Sequence, residues 1–335
     1  MAANLPVDST AMIQKLGRGR FAPSPTGPLH FGSLVAALGS FLEARRRNGE
    51  WLVRIEDLDV PRVVPGAADA ILRALERCEL FWDDPVLYQS QRTEAYRVAL
   101  ECLSSTGLAY PCTCSRRELA TNPRSGDGSP IYPGHCRAGV RQPTRPRAIR
   151  LRTTDTPLVF RDAVQGERRQ RLATEVGDFV VCRADGLFAY QLAVVVDDAA
   201  QGITQVVRGS DLLDSTPRQI YLQRLLGAPT PEYAHLPVVV DRQGRKLSKQ
   251  TRAPPLDPRD PAPALWAALR FLGQNPPADL RREPPSTILA WARVHWQLER
   301  VPTILARQWE PPIPRSAPDG SNRDADAVDN TKTIN

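Results

Sequence analysis

Between residues 32 and 47 the apolar positions Leu34, Leu38, Phe41 and Leu42 recur at the spacing of one helix face, and the run closes with Arg45, Arg46 and Arg47 before Asn48-Gly49. Side chains three and four apart share a helix face, cations suit its C-terminal turn and Asn-Gly supplies a left-handed stop, so the pattern predicts a helix. The preceding stretch RFAPSPTGPLHFGS, residues 20–33, is held extended by its prolines, because a residue before proline is kept out of the α region. WLVRIEDLD follows the helix as a short apolar run ending in acidic residues, which predicts a strand. Strand, helix and strand in that order predict a βαβ unit with a parallel sheet, whose ligands sit at the C-terminal ends of the strands.

Helical periodicity returns over residues 66–80 and 91–107. RAIRLR, PLVFRDAV, DFVVCRADG and FAYQLAVVVDDA read as strands, and STPRQIYLQRLLG reads as a helix closed by Gly227. PALWAALRFLG and STILAWARVHWQLER predict two last helices, the second with Ser286 as its N-cap. Between about 110 and 147 the chain is rich in Cys, Pro, Gly and Arg, the composition of an irregular insert. The expected class is α/β, without internal repeats.

Hydrophobic residues are 41% of the 335 and charged residues 24%, ordinary for a globular chain. No apolar run reaches the roughly 18 to 20 residues of a membrane-spanning helix, so no membrane partner is expected. The first fourteen residues have neither a basic nor an apolar targeting region, and six irregularly spaced cysteines suit a reducing cytoplasm. A net charge of +7 suits an anionic partner such as a nucleotide or RNA. Forty of the 44 cationic residues are Arg, and two of the four lysines, Lys246 and Lys249, share one short stretch, DRQGRKLSKQ.

These patterns offer three places for chemistry. In RFAPSPTGPLHFGS, glycine and proline before a helix let backbone N–H groups close on an anion, and the helix N-terminus adds about half a positive charge. His30 stands at that entrance as a donor to phosphate, with a backbone-satisfied turn histidine as the alternative. In DRQGRKLSKQ, mobile ammonium groups suit a triphosphate whose charge shifts during reaction, with a solvated turn as the alternative. In the insert, Cys112, Cys114 and Cys136 supply the thiols of a structural zinc site, which a segment with little core needs; inert reduced cysteines are the alternative. Cys78, Cys102 and Cys182 are expected to be buried, and His235 and His295 to be structural. Arg141, Arg145, Arg147, Arg150 and Arg152 form a basic run that either touches RNA phosphates or is a solvated face.

Together these stretches resemble the class I aminoacyl-tRNA synthetases. PLHFGS is similar to their first signature, with His30 and Gly32 matched and Ser33 in place of a frequent His; KLSKQ is similar to the second, with Lys246, Ser248 and Lys249 matched. FAPSPTGPLH, YQLAVVVDD and VVRGSDLL narrow the resemblance to the glutamyl and glutaminyl branch, over about residues 18–252. No dinucleotide G-x-G-x-x-G or Walker A pattern competes.

The resemblance implies an α/β nucleotide-binding fold with a parallel sheet, an inserted zinc-bearing subdomain of the acceptor type and a short helical C-terminal appendage. It implies glutamate binding by Arg20, Phe21, Ala22, Pro23, Ser24, Glu56, Tyr190 and Arg208, with the arginines on carboxylates, Glu56 on the ammonium and Tyr190 as a hydroxyl donor. ATP falls to His30, Gly32 and Lys249, and catalysis to His30, Lys246 and Lys249. Val194 stands where an Asn is usual, leaving one polar contact fewer. Ala138 stands where a fourth zinc ligand is usual, and Tyr132 matches a ligand position of shortened relatives, so the implied set is Cys112, Cys114, Tyr132 and Cys136.

The 85 residues after Gln250 are too few for the anticodon-binding half of ordinary members, so the chain resembles shortened relatives built on the catalytic domain alone. Such a relative is implied to activate L-glutamate with ATP and Mg²⁺ and to transfer it to the queuosine base in the anticodon of tRNA(Asp). The alternatives are a short enzyme charging a tRNA 3′ end and an inactive RNA-binding paralogue. The expected organisation is a flexible leader at 1–17, catalytic halves at 18–108 and 151–252, a zinc-bearing insert at 109–150, a helical appendage at 253–308 and a disordered tail at 309–335. The protein is expected to be a cytoplasmic monomer.

Overall fold

A computed structural model describes residues 17–247 and 259–309. Its first half runs β1 (Arg18–Phe21), α1 (Phe31–Arg46), β2 (Glu50–Ile55), α2 (Ala67–Arg77), β3 (Leu87–Tyr88) and α3 (Thr93–Ser105). The middle holds β4 (Ala109–Cys112), α4 (Arg116–Leu119), β5 (Ala148–Leu151), β6 (Leu158–Asp162), β7 (Gly166–Gln170), α5 (Leu172–Glu175) and β8 (Phe179–Cys182). Then come α6 (Tyr190–Ala200), β9 (Gln205–Gly209), α7 (Thr216–Leu226), β10 (Glu232–Leu236), β11 (Val238–Val240), α8 (Ala262–Phe271), α9 (Pro285–His295) and β12 (Ala306–Gln308).

The first βαβ unit forms as the pattern predicts. β1 pairs in parallel with β2 and β2 with β3, while α1 ends before Asn48, whose φ of 52° is the left-handed stop. A second parallel set pairs β9 with β10 and β10 with β6, and β7 returns antiparallel. The Thr204 N–H donates to the Arg18 carbonyl at 3.0 Å, which lays the start of β9 beside β1. Strand order therefore reverses between β1 and β9, the switch point where open α/β sheets bind ligands. β4, β5 and β8 form a separate antiparallel sheet that carries the insert.

Leu34, Leu38 and Leu42 of α1 meet Trp51, Val53 and Ile55 of β2 in one core, which Leu265 and Leu269 of α8 and Ile288 of α9 join. Glu43 of α1 is fully buried there and accepts from Arg46, Arg47, Gln205 and Trp296. Burial alone would raise its carboxyl, but these donors hold it below the ordinary value.

Three expectations change. FAYQLAVVVDDA is not a strand: Tyr190–Ala200 is helix α6. Leu192 to Asp198 are all buried, among residues of α3, β8 and α7, so no polar stripe marks a helical period and the valines mimic a strand. Ser286 is not an N-cap; α9 begins at Pro285 after Pro284, with no side-chain cap. Cys102 is only half-buried, because α3 turns Tyr96, Ala99 and Leu103 inward and Cys102 lies beside that stripe.

Candidate active site

A cleft of about 970 Å³ opens at the switch point, at the C-terminal ends of β1, β2 and β9. Arg20, Phe21, Ala22, Pro23, Ser24, His30, Gly32, Glu56, Tyr190, Arg208 and Lys246 all line it. Ser248 and Lys249 lie outside the described residues. Phe21 lines the cleft although its ring stacks on Trp51 in the core, 6.3 Å between centroids.

The floor is a buried charge network. Arg20 reaches Asp198 with two nitrogens, Nε to Oδ1 at 3.1 Å and Nη2 to Oδ2 at 3.4 Å, and Arg54 Nη2 donates to the same Oδ1 at 2.7 Å. Burial would raise the Asp198 carboxyl, yet the two guanidinium groups hold it below the usual range. Asp197 is held by Gln89, Arg92 and Tyr96. The guanidinium of Arg20 is therefore partly neutralised before any ligand arrives.

Glu56 follows β2, with its N–H on the Pro23 carbonyl at 3.0 Å. Its side chain is 10% exposed, and Oε1 is buried without a hydrogen-bond partner, its closest cation being Arg54 Nη2 at 3.7 Å. Burial pushes its carboxyl up to about 7 against the pull of Arg54 and Arg20, with Asp198 and Asp197 adding to the rise. An unsatisfied buried carboxylate is costly and is relieved by a donor such as an ammonium.

Arg208, 5% exposed, is held only by neutral groups among the described residues. Its Nε donates to His235 Nε2 at 3.0 Å, Nη1 to the Tyr190 hydroxyl at 3.2 Å, and Nη2 to Thr216 Oγ1 at 2.9 Å. Burial raises the Tyr190 hydroxyl, while Arg208 opposes the rise. A guanidinium on neutral partners and a carboxyl oxygen without a hydrogen bond, in one cleft, suit a zwitterion with an additional carboxylate.

At the other end, His30 caps α1, its Nδ1 accepting from the Ser33 N–H at 3.2 Å, and its Nε2 lies 3.1 Å from the Ser33 hydroxyl oxygen. A Cβ on Gly32 would stand 3.3 Å from the His30 ring, tighter than ordinary contact, so the glycine makes room for that ring; the Leu247 carbonyl, 3.5 Å from the same point, lies at ordinary contact distance. The Leu247 N–H donates to the Val239 carbonyl at 2.8 Å, and Lys246 Nζ donates to Asp211 at 2.6 Å. The α1 N-terminus, His30 and Lys246 thus border the same cleft.

Sequence reading missed Arg54, Asp197, Asp198, Asp211 and the role of His235 beside Arg208. Two signals were present: an arginine inside the apolar run of β2, and an acidic pair closing the valines of α6.

In the insert, the Sγ atoms of Cys112, Cys114 and Cys136 lie within 4.8 Å of one another, and Cys114 and Cys136 are 3.7 Å apart. The Tyr132 hydroxyl is 3.4 Å from Cys112 Sγ and 3.8 Å from Cys114 Sγ. Ligands at about 2.3 Å (S) and 2.0 Å (O) on tetrahedral zinc would be roughly 3.5 to 3.8 Å apart, so this donor set fits the ion. Burial would raise the Cys136 thiol, but the Thr113 and Arg141 backbones and Tyr132 bring it down to about 6. His135 is exposed. Arg150 does not face solvent as a basic-run residue would: it is 9% exposed, donates to Cys112 Sγ at 3.3 Å and lies over the Tyr132 ring at 3.9 Å.

Gly177, at φ +73°, bridges to Tyr132, and a Cβ there would come within 2.3 Å of the Tyr132 carbonyl oxygen. Gly177→Ala is expected to displace Tyr132 and raise the zinc dissociation rate by about tenfold or more, measured by transfer to a chromophoric chelator. Unchanged release would show that the Tyr132 backbone does not set this site.

Residues 18–257 match the family described as tRNA synthetases class I (E and Q), catalytic domain. The chain is 59% identical over 285 residues to a protein of Thiobacillus denitrificans named glutamyl-Q tRNA(Asp) synthetase, covering 85% of this chain and 95% of that one. A protein of Pseudomonas aeruginosa with the same name is 56% identical over 286 residues, covering 85% and 94%. Among solved structures, the glutamate-tRNA synthetase of Elizabethkingia anophelis superposes with a TM-score of 0.71 at 26% identity, over 88% of this chain and 68% of that one.

Proposed function

The chain belongs to the class I tRNA synthetases of the glutamate and glutamine group, and from that premise we propose that it converts L-glutamate and ATP to glutamyl-adenylate and transfers the glutamate to the queuosine base in the anticodon of tRNA(Asp). The observation that carries the amino-acid half is the presence, in one cleft, of a buried Glu56 oxygen without a hydrogen bond and an Arg208 held, among the described residues, only by neutral groups. Glutamate presents one ammonium and two carboxylates, the complement of that arrangement. The acceptor half is supported by relatives named for it, which this chain matches along 94 to 95% of their length.

In this reading Glu56 orients the ammonium and Arg208, with Tyr190, holds a carboxylate. Arg20, tempered by Asp198, forms the cationic floor beside Ala22, Pro23 and Ser24. The α-carboxylate, already ionised, attacks the α-phosphorus; the oxygen–phosphorus bond to pyrophosphate breaks, and pyrophosphate leaves. The His30 ring and the α1 N-terminus steady the phosphates. Lys246 gives up Asp211 for the developing charge, and Lys249, which lies outside the described residues, takes its share by the resemblance of KLSKQ to the second signature. Magnesium bound with ATP would neutralise phosphate charge. A hydroxyl of the acceptor base then attacks the acyl carbon, an ester forms, AMP leaves, and the proton passes to solvent. Cys112, Cys114, Tyr132 and Cys136 would hold a structural zinc ion, stiffening the insert.

Among the described residues no helix is long and apolar enough to cross a membrane; a cytoplasmic site of action belongs to the same proposal, as the place where ATP and the acceptor tRNA meet. The test of the acceptor is to charge tRNA with labelled glutamate and cut it by nuclease. Label is expected in the anticodon fragment; label confined to the 3′-terminal fragment would replace this reading with ordinary aminoacylation.

A further inference from the structure

Arg208 is reached from behind by a chain of two buried residues that the proposed reaction does not use. Asp162 ends β6, and its Oδ1 accepts three backbone N–H groups, from Val164 at 3.0 Å, Gln165 at 2.8 Å and His235 at 3.1 Å. Its Oδ2 is 2.6 Å from His235 Nδ1, and His235 Nε2 is 3.0 Å from Arg208 Nε. Both Asp162 and His235 are fully enclosed, their side chains at 0% exposure.

The ends of this chain dictate its middle. Arginine only donates, so His235 Nε2 must carry a lone pair; an ionised Asp162 only accepts, so Nδ1 must carry the hydrogen. The ring is thereby neutral and in a single tautomer. The alternative arrangement is visible nearby, where Arg20 meets Asp198 directly and shares its charge with it. Interposing a neutral imidazole orients the guanidinium of Arg208 through the same kind of carboxylate without placing that carboxylate on it.

We propose that Asp162 and His235 are a positioning pair that fixes the Arg208 guanidinium, with its charge uncompensated, for a carboxylate of the amino-acid substrate. The inference rests on the reading that Arg208 binds glutamate. The groups facing His235 are Asp162 from β6, Arg208 from β9, Thr216 from α7 and the Tyr233 ring on its own strand, with the Asp211 charge farther off. Burial first, and Arg208 after it, bring the imidazole down to about 4 against the pull of Asp162, so the neutral form holds across the working range.

Three variants test this: His235→Leu removes the acceptor, His235→Gln restores an amide oxygen for Arg208, and Asp162→Asn frees the ring to adopt the tautomer that points a hydrogen at Arg208. In glutamate-dependent pyrophosphate exchange, His235→Leu and Asp162→Asn are expected to raise KM for L-glutamate about tenfold or more with KM for ATP within about twofold, and His235→Gln to recover most of the loss. An unchanged glutamate KM in folded Asp162→Asn or His235→Leu protein would overturn the pair. Should His235→Leu fail to fold, Asp162→Asn and His235→Gln decide the matter.

Nitrogen NMR of the wild-type chain, which has four histidines, reads the ring without substrate. A neutral Nδ1–H form is expected from about pH 5.5 to 8, and a titrating ring or an Nε2–H form would equally refute the proposal. Wild-type protein lacking glutamate-dependent exchange would instead sink the proposed function, and the tautomer measurement would still judge the pair.

Discussion

Glu56→Gln is expected to lower kcat/KM for L-glutamate by about a hundred- to a thousandfold in pyrophosphate exchange, with KM for ATP nearly unchanged. The substrate ammonium would lose the carboxylate partner assigned to it in a buried place, and breaking such a pair costs about 3 to 5 kcal/mol. Gln matches Glu in shape, so a loss this large would report charge and not packing.

The same residue gives a pH signature. Burial holds the Glu56 carboxyl up near 7 in the empty cleft, so it is mostly protonated below that pH and ionised above it. Because the ammonium binds only the ionised form, KM for glutamate is expected to fall as pH rises from about 6 to 8, and binding near pH 7 to release protons. Initial rates across that range, and calorimetry in buffers of different ionisation enthalpy, measure both. A flat wild-type profile would remove Glu56 from the ammonium site, and Glu56→Gln should lack the dependence in any case.

The second large effect is loss of the zinc site. Wild-type chain is expected to bind about one zinc ion, and a Cys112→Ser, Cys114→Ser double variant to bind none, by elemental analysis. The buried side chains of this satellite core are Tyr110, Cys112, Leu119, Tyr132 and Cys136, so the implied ligands make up most of it. Structural zinc supplies on the order of 10 kcal/mol of apparent binding free energy in small metal domains, which so few contacts cannot replace. Limited proteolysis is therefore expected to cut the double variant within about residues 109–150, while the α1 core melts as a protected unit. Zinc content unchanged in the double variant would refute the ligand set. Zinc lost without new cleavage would show that other contacts, such as Asp127 on Arg218 of α7, hold the insert.

What was legible depended on how local the determinant is. The βαβ unit, α7 with its Gly227 stop and the thiol cluster were readable because periodicity, a left-handed glycine and ligand spacing operate over a few residues. Helix α6 was misread for a tertiary reason: enclosed on all sides, it needs no polar face, so a valine run carries no helical period. Ser286 fails as a cap because two prolines already set the entry to α9.

The same division runs through the candidate site. The sequence by itself determined which residue types were available, and matched Arg20, Glu56, Tyr190, Arg208, His30 and Lys246 to a known pattern. Only the tertiary structure decided their electrostatic standing, because each partner lies far along the chain: Asp198 is 178 residues from Arg20, and His235 is 27 from Arg208. Two arginines that are chemically alike in sequence thereby differ, one partly neutralised by a carboxylate and the other held, among the described residues, by neutral groups. A charge's effective strength in a buried cleft is set by what packs against it, and packing over such separations exists only once the sheet has formed.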